Sequence, residues 1–192
     1  RETTEGAVLA RIDGQKAILV CLGCETDFVS KNAEFQALAN SIADAAIAAY
    51  PADKDALMSV VLADGRTVEA AVTEQTGKTG EKHVVAYYSP ISADFAASYI
   101  HHNGKVAAVV GFSKEVSADV ARGIAIQVAT MNPVSVSDKD CPAEVVEKEI
   151  QIYKERMKED PKLAGTPEDL LEQIAEGKLG KFFKENTLLE QV

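Results

Sequence analysis

Three groups of residues carry side chains at spacings suited to chemistry. Cys21-Leu22-Gly23-Cys24 fits the C-x-x-C pattern of a redox pair, which works where a helix N-terminus lowers the pKa of one thiol. The pair closes an apolar run and precedes a helix-start pattern, so its position is roughly that of such a motif. The plainer role is that of small buried hydrophobes in a strand. A zinc site would need two further ligands, and the adjacent His101-His102 lack the usual histidine spacing. Thr76-Gly77-Lys78-Thr79 resembles the tail of a phosphate-binding loop, but that motif needs glycine five residues before Gly77, where Val72 stands. His101-His102 could exchange protons near neutral pH, yet they sit in a turn with no nucleophile or carboxylate placed beside them by the sequence. None of the three completes a catalytic constellation, and no enzymatic activity is expected.

The elements that would hold these residues follow from periodicity. Two β-type runs, 7–12 and 16–22, flank Asp13-Gly14 and read as a hairpin. Phe35, Leu38, Ile42, Ala46 and Ala49 then recur at three–four spacing, predicting a helix over 30–49 that Pro51 closes. Residues 53–66 suggest a short helix and a loop at Asp64-Gly65. Thr67 can cap a helix running to about Thr76 with Gly77 as its stop, and 83–88 read as a strand ending at Pro90. The order then begins again. Runs 95–100 and 105–112 flank His102-Asn103-Gly104, and a helix follows over 117–131. Residues 143–158 carry Val146, Ile150, Tyr153 and Met157 on one stripe, and 168–176 carry Leu170, Leu171 and Ile174, an antiparallel helical hairpin in pattern.

The expected fold is therefore α+β: two related units of antiparallel β-hairpin plus helices, followed by a helical-hairpin arm. Residues 1–90 form the first unit, 91–140 an incomplete second, 141–184 the arm and 185–192 a C-terminal segment. The chain has 192 residues, 46% of them hydrophobic and no Trp, so its cores should be aliphatic. A net charge of −10 argues against direct binding to nucleic acid or to an anionic membrane surface. No apolar run approaches the roughly 18–20 residues needed to span a bilayer. Three cysteines make no disulfide framework and suit a reducing, cytoplasmic setting.

One segment carries more information than these. Cys24-Glu25-Thr26-Asp27-Phe28-Val29-Ser30-Lys31-Asn32 resembles the signature of the elongation factor Ts family, and the resemblance runs on in order along nearly the whole chain. Residues 99–110 are similar to the family's second hairpin, 124–133 to its following helix, 143–149 to the start of its coiled-coil arm and 177–183 to the end of it. Cys21 and Gly23 depart from the pattern, standing where the family has Glu and Asn. The family's N-terminal ubiquitin-associated-like module and the part after the arm have no counterpart here, and truncation would explain the incomplete second unit. An unfinished sheet should leave an open edge, so self-association is expected, or else 181–192 folding back over the gap.

The resemblance implies a guanine-nucleotide exchange factor with elongation factor Tu as partner and no cofactor. It places Asp27 and Phe28 at the partner's nucleotide domain, with Phe28 as a wedge near the magnesium site, and the flanking Thr26 and Val29 are taken with them as partner-binding; Asp27, at a helix start, can also cap the helix and present a charge. Val106, Ala107 and Gln127 map onto further rim or support contacts. Two alternatives of other classes stay open on the residues themselves. One is a thiol–disulfide oxidoreductase using Cys21 and Cys24, the other a structural module dimerising through its helical arm.

Overall fold

Two apolar runs on either side of Gly14 produce the first hairpin. Strands β1 (Glu5–Asp13) and β2 (Lys16–Cys24) pair antiparallel from Glu5 opposite Cys24 to Asp13 opposite Lys16. Gly14 turns the corner at φ 58°, the conformation a two-residue primed turn demands of its first residue. The computed structural model describes residues 1–192. They form two units, Arg1–Ala129 and Thr130–Val192.

In the first unit, β2 is the middle strand of a three-stranded antiparallel sheet completed by β3 (Val84–Ser92). β3 runs through Pro90 instead of ending there, which an edge strand tolerates because Pro lacks only a donor. Its register against β2 shifts between Cys21 and Leu22, leaving Ala86 as the extra residue. Helices cover one face. After the single-turn α1 (Asp27–Ser30), α2 (Ala33–Ala49) lays Phe35, Leu38, Ile42 and Ala46 onto Ile18, Val20 and Leu22. It stops at Tyr50, which takes the left-handed conformation just before Pro51. The short α3 (Lys54–Met58) contributes Leu57 to this core, and α4 (Val68–Thr79) contributes Val68, Ala71 and Val72.

Helix α4 does not stop at Gly77. Gly80 ends it at φ 74°, its N–H bonded to the Thr76 carbonyl, so Thr76 to Thr79 form the helix's last turn rather than a loop. A second hairpin, β4 (Phe95–Ile100) with β5 (Ala107–Phe112), makes a separate two-stranded sheet. Its tip reaches β1 through a hydrogen bond from the Val8 N–H to the Gly104 carbonyl, 3.1 Å. Helix α5 (Ala118–Met131) follows, its first turn bonded to Ser117.

In the second unit, α6 (Ala143–Glu159) and α7 (Glu168–Asn186) pack around Met157, Leu171 and Ala175. Lys154 is buried between them, its Nζ 2.6 Å from Glu168 Oε1. α7 runs ten residues past the expected end at 176. Gly177 and Gly180 both keep negative φ. The half-buried Leu179, Phe182 and Phe183 carry the stripe of Ala175 onward at three–four spacing, which offsets the poor propensity of two glycines. Beyond the helix, the chain pairs with 134–136: Leu188 and Leu189 donate to the Ser135 and Val136 carbonyls. The α+β class with antiparallel strand pairs is as expected from the pattern.

Candidate functional site

The junction between β2 and α2 is built from two short caps set back to back. Thr26 precedes α1 in an extended conformation, and its Oγ1 accepts from the Val29 N–H. The N-cap is therefore Thr26 and not Asp27, which occupies the first helical position. One turn later Lys31 ends α1, and Asn32 caps α2 through a bond from the Glu34 N–H to its Oδ1, 2.8 Å. This break at 31–32 is why the expected single helix from residue 30 is two helices.

A single turn leaves little choice about which side chains face inward. Ser30 is buried and donates to the Asp27 carbonyl at 2.9 Å, and Val29 packs against the sheet–helix core. Successive helical residues lie about 100° apart, so anchoring Val29 and Ser30 turns Phe28 outward. Phe28 is 84% exposed, whereas Phe35 in the next helix is completely buried. An exposed Phe on a braced turn is a ready anchor for a partner pocket, because an aromatic ring held in place buries a large apolar area at little conformational cost.

The charges around this corner are fixed. Lys31 Nζ donates to Asp27 Oδ2 at 3.0 Å, and this bond holds the Asp27 carboxyl below its ordinary range. Glu81, which no sequence motif marks, makes three hydrogen bonds to this segment. Its Oε1 accepts the Thr26 hydroxyl at 2.6 Å, and its Oε2 accepts the N–H groups of Glu25 and Thr26 at 3.2 and 3.1 Å. The Thr26 hydroxyl bond is the main reason its carboxyl also lies below the ordinary range. No periodicity could have found it, because the contact spans 55 residues of sequence.

The remaining predicted residues lie elsewhere on the fold. Val106 is exposed just before β5, Ala107 is half-buried at its start, and Gln127 is half-buried on α5. A groove of about 750 Å³ has Asp27 and Lys31 on one wall and the hairpin tip His102-Asn103-Gly104 on another. It brings the second hairpin close to Asp27 but is not lined by Phe28, Val106, Ala107 or Gln127.

The cysteines are disposed against disulfide chemistry. Three positions apart on one strand, Cys21 and Cys24 face opposite sides of the sheet. Cys21 lies beside Gly6, Val8 and Tyr87, while Cys24 is in the helix-covered core. Burial pushes the Cys24 thiol up to about 11 and raises that of Cys21, the reverse of an activated pair. The His101 and His102 rings lie tilted against each other, centroids 4.1 Å apart, in the hairpin turn, with His101 Nδ1 3.1 Å from the Tyr99 hydroxyl. No helix is long and apolar enough to cross a membrane.

The family model described as Elongation factor TS matches residues 25–192. A protein of Porphyromonas gingivalis named Elongation factor Ts is 44% identical over 191 residues, covering 100% of this chain and 68% of the relative. Proteins of the same name from Cytophaga hutchinsonii and Christiangramia forsetii are 40% and 38% identical, over 98% and 100% of this chain and 68% and 69% of their own lengths. A sequence match that begins inside the signature segment and continues through the helical hairpin, with relatives aligned along the full chain, shows that this chain belongs to the elongation factor Ts family.

Proposed function

We propose that the chain is a cytoplasmic guanine-nucleotide exchange factor that binds GDP-bound elongation factor Tu and promotes GDP release, without catalysing a reaction of its own. The observation that carries this reading is Phe28: a large apolar side chain held out in solvent by a turn whose other residues are buried or bonded. Seated between partner helices, it would displace the groups that hold magnesium and the β-phosphate. Thr26 shapes the turn, Val29 roots it in the core, and Asp27 offers an ionised carboxylate beside the anchor.

Exchange requires only differential affinity. A factor that binds nucleotide-free partner more tightly than GDP-bound partner must weaken GDP binding by the same factor. GTP then displaces the factor and completes the cycle. Val106, Ala107 and Gln127 serve in this reading as rim or support contacts from the second hairpin and α5. We read residues 1–90 and 91–140 as the two related core units, 141–184 as the arm and 185–192 as the C-terminal segment. The test is release of fluorescent GDP from elongation factor Tu with and without the chain. Concentration-dependent acceleration is expected, and an unchanged release rate would refute the proposal.

A further inference from the structure

We propose that Glu81 is a positioning residue that holds the Thr26–Val29 turn in its partner-ready shape. This inference rests on the exchange role given to Phe28 above. A four-residue helix cannot hold itself together, because nucleation fixes several residues for a single hydrogen bond. The turn therefore depends on what grips its N-terminal end, and there Glu81 accepts three hydrogen bonds, from the Glu25 N–H, the Thr26 N–H and the Thr26 hydroxyl. Because Thr26 Oγ1 donates its proton to Glu81, its lone pairs are left to accept the Val29 N–H one residue beyond Phe28. The acidic side chain thus acts through Thr26 on the backbone that carries the aromatic ring.

The grip is reciprocal and anchored at its far end. Glu25 Oε1 accepts the Lys82 N–H at 2.7 Å, so residues 25–26 and 81–82 exchange bonds in both directions. Glu81 is itself fixed by its own N–H, which donates to Thr79 Oγ1 in the last turn of α4 at 3.1 Å. Both carboxylate oxygens act as acceptors. A glutamine of the same size offers one acceptor oxygen and turns an NH₂ group toward donors. Glu81→Gln therefore changes the hydrogen bonding while sparing the packing.

The experiment uses Glu81→Gln, Phe28→Ala and the double variant, each read by stimulated GDP release from elongation factor Tu and by amide hydrogen exchange over residues 25–29. Loss of charge-assisted bonds should lower exchange efficiency about tenfold in Glu81→Gln and speed hydrogen exchange at Glu25 and Thr26. In the Phe28→Ala background the same change should cost less than about twofold, because its effect travels through the ring that has been removed. A general loss of stability would instead multiply the two effects, and that result overturns the inference. So does wild-type activity in Glu81→Gln beside an impaired Phe28→Ala. Wild-type activity in Phe28→Ala overturns the exchange reading itself, and this inference with it. If thermal melting shows that Glu81→Gln is unfolded, Glu81→Asp, too short to span the same donors, is read in its place against the same outcomes.

Discussion

Replacing Phe28 with alanine separates binding from folding in a way the structure allows to be quantified. With 84% of the residue exposed, folding removes only about a sixth of its roughly 200 Å² from water, which corresponds to about 0.8 kcal/mol of stability. The remaining roughly 170 Å² is available to a partner and bounds the loss on truncation at about 4 kcal/mol, while central anchors commonly lose about 2 or more. Stimulated GDP release should therefore fall about thirtyfold or more. Phe35→Ala is the internal control. Its ring is fully buried against the sheet, and its removal should cost about 3–5 kcal/mol of stability. Stopped-flow release of fluorescent GDP from elongation factor Tu and thermal melting by circular dichroism read the two quantities separately. If Phe28→Ala melts as early as Phe35→Ala, or exchanges like the parent chain, the argument from exposure is wrong.

Cys24, buried and with its thiol raised to about 11, should stay unalkylated by iodoacetamide at pH 8 in the folded protein, and Cys21→Ser should leave exchange intact; insulin reduction abolished by that variant would revive thiol chemistry. Gly6→Ala should destabilise the first unit by about 1–3 kcal/mol, since a Cβ there runs into the Leu22 backbone carbonyl, and an unchanged melting temperature would refute this. Glu168 lies below its ordinary value of 4.5 because Lys154, and then Lys158, bond to it. Its contribution to the helical hairpin is thus complete above that value and lost as pH falls through the lower folded one, so Glu168→Gln should flatten the acid side of the melting profile. Strands β4 and β5 have sheet partners only in each other, and light scattering should show concentration-dependent self-association through their edges; a strict monomer mass would count against it.

Much of the fold was legible because it depends on local pattern. The apolar runs around Gly14, the three–four stripe of α2 and the turn at His102-Asn103-Gly104 all come from side chains near each other in sequence. The misplaced ends have specific causes. Gly77 and Gly80 both look like helix stops, and only the backbone geometry tells that Gly80 takes positive φ. α7 runs past residue 176 because an apolar stripe continues to Phe183 and outweighs the poor helix propensity of Gly177 and Gly180. Pro90 ends no strand because β3 lies at the sheet edge, a position the sequence alone does not reveal. The signature segment was visible as a string, and Phe28 with it. The contribution of Glu81 was not, since a hydrogen bond between residues 26 and 81 leaves no periodic trace.

The central claim is one of differential affinity, and calorimetric titration of the chain into nucleotide-free and GDP-saturated elongation factor Tu measures it directly. Tighter binding to the nucleotide-free partner is expected, by at least about tenfold, together with a loss of GDP affinity by the same factor when the chain is bound. Equal affinity for the two forms, however tight, would contradict the account.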